Sequence, residues 1–173
     1  ISESVAVDVK NRSHTITAEV EIPDEGAEGV LLAMGSRFGG YSLFVKDRRL
    51  HYVHNYVGVE EYRITSTEDV PAGITSLRYV FNFDGGAPGS GGTGELYFNG
   101  RQVGEGRIPR TVPIAFTLAG EGLCCGWDNG EPVSAEYESP FRFTGQIRRV
   151  IVDVSGVAPR DLGAEMDMAL SRQ

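Results

Sequence analysis

Cysteine is scarce in this sequence, because Cys124 and Cys125 are the only two among its 173 residues. Neighbouring cysteines can pair only through a strained ring, so we interpret both as free thiols and exclude a disulfide scaffold. Zinc and dithiol sites ordinarily place two residues between their cysteines, so this pair predicts neither. Free thiols favour a reducing compartment, and together with the lack of a visible signal peptide they predict a cytoplasmic protein.

Positive charge and long apolar segments are also in short supply. Lys and Arg number 16 against 24 Asp and Glu, which gives a formal net charge of −8 and a pI near 4.9. An acidic chain without clustered cations is a poor partner for nucleic acid or for an anionic membrane surface. The apolar runs are far shorter than the roughly 20 residues that a membrane-spanning helix needs.

Glycine, by contrast, is abundant, with 23 residues in 173, about 13% where about 7% is usual. The glycines separate short segments in which apolar and polar residues alternate, as in residues 15–22 and 77–83, and this period of two is typical of half-buried strands. The Asn99-Gly100 pair predicts a type I′ hairpin. A parity change near Arg148-Arg149 predicts a bulge in the last strand. The predicted strands cover residues 15–22, 30–34, 41–46, 50–57, 62–65, 77–83, 95–98, 101–103, 114–118 and 143–154, with a loop over 84–94.

This many short antiparallel strands predict an all-β fold, a two-sheet jelly-roll sandwich over residues 1–155. Residues 156–173 form a tail with good helix formers at 164–170. We expect this tail to be helical and to pack on the sandwich or on a catalytic domain elsewhere in the polypeptide.

Histidine and paired-acid sites find little support in the spacing. His51 and His54 lie three apart on one strand, so they point to opposite faces and cannot chelate one ion together. With His14, they are interpreted as surface or hairpin residues. The acid pairs Glu19/Glu21 and Glu165/Asp167 are interpreted as solvated rather than as the two carboxylates of a glycosidase.

One loop, residues 127–138, concentrates acids and aromatic residues. Asp128, Asn129 and Glu131 provide hard oxygen ligands of the kind that calcium takes, which suggests a calcium site. The alternative is a rigid loop in which Asp128 accepts backbone N–H bonds.

Aromatic residues suggest a second kind of surface, since ring faces suit sugar rings and subunit contacts alike. The candidates for contact with a glycan or a partner are Tyr41, Tyr52, Tyr56, Trp127 and Tyr137.

Two segments, 96–103 (LYFNGRQV) and 143–150 (FTGQIRRV), resemble the laminin-G and concanavalin A-like sandwich superfamily. Further segments resemble the C-terminal region of large bacterial arylsulfatases. They are 3–7 (ESVAV), 11–16 (NRSHTI), 35–41 (GSRFGGY), 104–108 (GEGRI), 131–134 (EPVS) and the ending 164–173 (AEMDMALSRQ). The first hairpin departs from that pattern, because Arg48 stands where the family usually has glycine.

This resemblance implies a parent enzyme of the formylglycine-dependent sulfatase family, with the formylglycine and a divalent cation located upstream of this chain. The family's Cys/Ser-x-Pro-x-Arg motif is absent, because Cys125 is followed by Gly126-Trp127, and the family's Asp-Asp metal ligands are absent too. No catalytic residue is therefore carried over to this chain. The implied function is a non-catalytic accessory domain of a sulfuric ester hydrolase, with the catalytic domain of the same polypeptide, or further copies of the chain, as its partner.

Two other functions remain open from the sequence. A carbohydrate-binding β-sandwich module needs an exposed face with aromatic residues. A glycosidase on the same fold needs two carboxylates about 5 to 9 Å apart in a cleft.

Overall fold

The computed structural model describes residues 1–116, 121–156 and 162–171. These ranges contain ten strands and one helix, in chain order β1 (His14–Ile22), β2 (Gly29–Ser36), β3 (Gly39–Lys46), β4 (Arg49–Tyr56), β5 (Glu60–Thr65), β6 (Gly73–Phe83), β7 (Ser90–Phe98), β8 (Arg101–Arg110), β9 (Leu123–Cys125), β10 (Gln146–Val154) and α1 (Leu162–Ser171).

The strands form two five-stranded antiparallel sheets. Sheet A has the order β10-β1-β6-β7-β8, and sheet B has the order β5-β4-β3-β2-β9. The predicted all-β, two-sheet sandwich with a short C-terminal helix is confirmed. The division at residue 155 stays a prediction. No helix in the described ranges is long and apolar enough to cross a membrane.

The core lies between the sheets, where the predicted alternation places it. Ile16, Ala18 and Val20 on β1 are all fully buried. Tyr52 of sheet B and Tyr79 of sheet A stack with their ring centroids 3.5 Å apart. Burial of such side chains removes apolar surface from water, which is the main force that holds the two sheets together.

Turn chemistry fixes the registers of the hairpins. Asn99 and Gly100 have φ values of 49° and 82°, which confirms the type I′ turn that their sequence predicts. Asp47 and Arg48 take the same left-handed conformation, with φ values of 49° and 64°, although neither is glycine. The register of β1 with β10 shifts between Glu19 and Val20, so the predicted bulge is confirmed, with Arg148 as its extra residue.

Two local predictions are wrong. Residues 90–94 belong to strand β7 rather than to a loop, because their glycines allow close packing: a Cβ on Gly91 would lie 2.3 Å from the Ile108 carbonyl oxygen, and one on Gly92 would lie 2.5 Å from the Phe81 ring. Residues 114–116 form no strand, and the rest of the predicted strand 114–118 lies outside the described residues.

The outer face of sheet B is covered by residues 126–143, here called the cover. Val133 and Tyr137 of the cover form a second hydrophobic cluster with side chains from β2, β3 and β4. The Asn55 side-chain amide donates to the Val133 carbonyl at 2.8 Å. Glu61 accepts from the Ser134 hydroxyl at 2.8 Å and from the Ala135 backbone N–H at 2.9 Å. The cover therefore seals this face with both apolar and polar contacts.

Candidate functional site

Three of the five predicted aromatic contact residues lie inside the molecule. Tyr41 and Tyr52 are 1% and 2% exposed in the core, and Tyr137 is 7% exposed beneath the cover. These three side chains offer no surface to a glycan or partner. Trp127 and Tyr56 are half-buried, and each carries a guanidinium over one ring face. For these two, a ligand contact stays a prediction.

The cations are Arg110, 4.1 Å from the Tyr56 ring, and Arg142, 4.8 Å from the Trp127 ring. Such contacts are attractive because the ring face is electron-rich. Both rings therefore help to hold the fold together. A sugar could reach only their remaining faces.

The predicted calcium loop is organised around Asp128, which is 2% exposed. Its Oδ2 accepts from the Val133 N–H at 2.9 Å and from the Tyr137 hydroxyl at 2.6 Å. Burial raises the pKa of this carboxyl. No group of three or more His, Cys, Asp or Glu side chains suited to a metal occurs in the described part of the chain. The geometry favours the alternative in which Asp128 holds its own loop, and the calcium site stays a prediction.

The histidines and cysteines lie in different environments, some buried and some accessible. His51 stacks on Phe44 on the outer side of sheet B, whereas His54 is buried and its Nε2 accepts from the Val112 N–H at 3.1 Å. His14 is also buried, so the interpretation of His14 and His54 as surface residues is wrong. Cys124 is half-buried and Cys125 is exposed, and burial raises the pKa of both thiols.

Both members of the first acid pair, Glu19 and Glu21, form ion pairs with arginines of β10. Glu19 makes a bidentate pair with Arg149 at 2.7 and 2.8 Å, and this contact lowers its pKa. Glu21 pairs with Arg148 at 3.2 Å. A glycosidase acid instead needs a raised pKa. The first pair therefore belongs to a solvated, ion-paired surface.

The outer face of sheet A, here called the open face, has a different character. Its central row crosses all five strands through residues that stand opposite one another in register: Ile151, Thr17, Arg78, Tyr97 and Gln102. Neighbouring strands are about 4.8 Å apart, so the row is about 19 Å long. Asp153, Thr15, Val80, Glu95 and Glu105 form the next row.

Side chains at the centre of the open face bond only along the face. The Tyr97 hydroxyl donates to Glu95 Oε2 at 2.6 Å, and the Asn82 amide donates to Glu95 Oε1 at 3.3 Å. The bond to Glu95 raises the pKa of Tyr97. These contacts hold the phenol ring in place beside Arg78 without covering either side chain.

Arg78 is exposed at the centre of this face. Among the described residues, the Arg78 guanidinium is the only Arg or Lys side chain with no ion pair, hydrogen bond or ring contact to the protein. The other arginines of the face are paired, Arg149 with Glu19 and Arg107 with Asp84. An unpaired guanidinium presents five donors in a planar fork that matches a carboxylate or sulfate.

The sequence contained the signal for this face. Leu77 and Tyr79 alternate with Arg78 and Val80 on β6, and the buried partners place Arg78 outward. Tyr97 lies between the buried Leu96 and Phe98 in the same way. Tyr97 is missing from the predicted aromatic contact residues, although the alternation of β7 places its side chain on the outer face.

The fold is a jelly-roll sandwich, and the comparisons with known proteins support this class. No protein-family model matches the chain, and no curated protein matches it. Among solved structures, the carbohydrate-binding module CBM40 of the Ruminococcus gnavus IT-sialidase, bound to α2,3-sialyllactose, matches with a TM-score of 0.57 and 15% identity over 85% of this chain and 79% of that chain.

The same CBM40 also matches in a second structure, with a TM-score of 0.53 and 16% identity over the same shares of the two chains. A heptameric SAP-like pentraxin from Limulus polyphemus matches with a TM-score of 0.47 and 14% identity, over 82% of this chain and 63% of that chain. At these identities the two CBM40 matches show the fold alone. The resemblance to arylsulfatase C-terminal regions, the accessory role and the cytoplasmic location stay predictions.

Proposed function

We propose that this chain is a carbohydrate-binding β-sandwich module that binds its ligand on the open face of sheet A. The observation that carries the proposal is the exposed, unpaired Arg78 guanidinium directly opposite Tyr97 in register. In a surface that otherwise pairs its cations, this arginine is free to bind an external anion.

The chemistry of the row fits a sugar that carries an acidic group. Arg78 would form a bidentate, charge-assisted pair with a carboxylate or sulfate. Tyr97, fixed through Glu95, would contact the apolar edge of the ring, and aromatic side chains suit such amphipathic contacts. Thr17 and Gln102 flank the pair and add a hydroxyl and an amide for the sugar hydroxyls.

The structural neighbours support this proposal over an accessory role in a sulfatase. The CBM40 of the sialidase shares the sandwich and is described in complex with α2,3-sialyllactose. The covered face of sheet B offers no comparable surface, since the cover occupies it.

Calorimetric titration tests the proposal directly. The purified chain is titrated with α2,3-sialyllactose, with lactose as the neutral counterpart and with a sulfated oligosaccharide. We expect heat with at least one acidic sugar and none with lactose. Arg78→Gln should weaken that binding at least tenfold, because it removes a charge-assisted hydrogen-bond pair.

Arg101→Gln is the matched control, because Arg101 is an exposed arginine that pairs with Glu68 away from the central row. This variant should bind like the parent chain. Absence of heat with every acidic sugar would overturn the proposal, as would an Arg78→Gln variant with unchanged affinity.

A further inference from the structure

A small cavity lies inside the sandwich, beneath the end of sheet A at which β1 begins. Its polar lining comes from His14 and Tyr79 of sheet A, from Tyr41, Tyr52 and His54 of sheet B, and from Lys10, Asn11 and Thr111 outside the strands. About 10 Å³ is open to the centre of a water molecule. That space is about what one water molecule needs.

The protonation of His14 follows from its hydrogen bond. The ring Nδ1 lies 3.2 Å from the Arg12 carbonyl oxygen, which can only accept, so Nδ1 carries the proton. Burial lowers the pKa of His14 to about 4, so the ring is neutral at pH 7. Its Nε2 therefore has a lone pair that needs a donor, yet it is buried without a hydrogen-bond partner among the described residues.

The Tyr79 hydroxyl is the second buried polar group of the cavity that lacks a hydrogen-bond partner among the described residues. Burial raises the pKa of its hydroxyl well above the ordinary value, so the hydroxyl keeps its proton. The Tyr52 hydroxyl oxygen is the nearest acceptor and contributes to that raised pKa, but its contact with the Tyr79 Oη does not have the geometry of a hydrogen bond within the described ranges. Like His14, Tyr79 lines the cavity.

Leaving a polar group buried and unsatisfied costs about 1–3 kcal/mol. A single water molecule removes the cost for both groups, because it donates to the His14 Nε2 and accepts from the Tyr79 hydroxyl. We infer that the cavity is a binding site for one structural water that links β1 to β6 through these two side chains. This site is independent of the proposed glycan-binding function.

Oxygen-17 magnetic relaxation dispersion counts long-lived internal waters and tests the inference. The parent chain should show one more such water than the double variant His14→Leu/Tyr79→Phe, which replaces both partners by apolar groups of similar shape. Tyr97→Phe is the control, because it removes a hydroxyl from the open face only, and it should keep the parent count. An equal count in the parent and the double variant would overturn the inference.

A second measurement needs no variant. Long-range ¹H–¹⁵N correlation spectra of the parent chain distinguish the two neutral tautomers of histidine. We expect His14 to be the Nδ1–H form with a hydrogen-bonded Nε2. A neutral Nε2–H form would contradict the assigned donor and would also overturn the inference.

Discussion

The outer faces of the two sheets differ although both belong to one sandwich. On sheet B, Val30, Phe44 and Val53 point outward and are fully buried beneath the cover. On sheet A, Thr17, Arg78 and Tyr97 occupy corresponding central positions and remain accessible. One face therefore contributes to stability, and the other is available for binding.

The strand sequences already contain this difference. Strands β2 and β3 are buried along almost their whole length, whereas β1 and β6 alternate buried with accessible residues. A strand buried on both faces needs apolar residues at consecutive positions. A strand with one solvent-exposed face needs them only at every second position. Substitutions beneath the cover should therefore lower stability, whereas substitutions on the open face should change ligand binding.

Lowering the pH should have the largest effect on stability, because it acts on buried histidines in the core that lies between the two sheets. Burial lowers the pKa of His14 to about 4 and of His54 to about 3, from the ordinary value of 6.5. Because the unfolded chain binds these protons first, the stability is complete above pH 6.5 and is lost as the pH falls toward 4. One pKa unit corresponds to about 1.4 kcal/mol, so His14 alone accounts for roughly 3 kcal/mol.

Urea unfolding between pH 7 and 4, followed by near- and far-ultraviolet circular dichroism, measures this loss. His14→Leu should flatten the dependence of the unfolding free energy on pH. Because both histidines lie in the common core, the two signals should fall together. Separation of the cover before the sandwich melts would contradict this expectation.

Two tyrosines provide a matched pair for the two faces. Tyr137→Ala removes a ring packed on Phe44 and a hydroxyl bonded to Asp128, so it should lower the free energy of unfolding by about 3–5 kcal/mol. Tyr97→Ala should lower it by less than about 1 kcal/mol but should abolish glycan binding. Urea unfolding and calorimetry measure the two effects, and equal destabilisation by the two changes would remove the distinction between the faces.

Asp128 tests the polar half of the cover. Asp128→Ala leaves the Val133 N–H without its acceptor and leaves the Tyr137 hydroxyl with Ser42 as its remaining acceptor, so it should cost about 1–3 kcal/mol. Asp128→Asn keeps an acceptor and should cost less. Its deficit in stability relative to the parent should widen as the pH falls, because the parent gains stability when Asp128 takes up a proton and the variant does not.

Burial raises the folded-state pKa of Asp128 above the ordinary value of 3.8. A group with a raised folded pKa contributes stability that is complete below the unfolded pKa and is lost as the pH rises through the folded pKa. Urea unfolding of both variants from pH 7 to 4 measures the difference. An Asp128→Asn variant as unstable as Asp128→Ala would show that the acceptor geometry is not what holds the cover.

The smallest effect concerns calcium in the same loop. Because Asp128 already serves its own loop, we expect the thermal midpoint to be unchanged by calcium or by a chelator. A calcium-dependent rise of the midpoint would restore the ion site at Asp128, Asn129 and Glu131.

Local signals in the sequence predicted much of the fold. Alternation gave the inward set of β1, the Asn99-Gly100 pair gave its turn, and the parity change at Arg148 gave the bulge. Each of these depends on residues close together in the chain. The two-sheet class followed because the strands are short and separated by glycine.

The remaining features depend on contacts distant in sequence. Tyr137 lies in a loop without strand periodicity, and its burial depends on Phe44 and Ser42, far earlier in the chain. Gly91 lies in a glycine-rich segment whose composition is typical of a loop. Only its close approach to Ile108 shows why the strand needs glycine at this position. The unpaired state of Arg78 depends on the partners that the diagonal carboxylates take, since Glu95 accepts from Tyr97 and Glu19 pairs with Arg149. No local pattern encodes these pairings.

Because the polar contacts at the centre of the open face run only along the sheet, no other segment of the described chain relies on its side chains for support. We expect substitutions there to be nearly neutral for folding, so the open face can vary in sequence while the sandwich is retained. A library randomised at Thr17, Arg78, Tyr97 and Gln102 would therefore be expected to yield mostly folded proteins with altered ligand preferences.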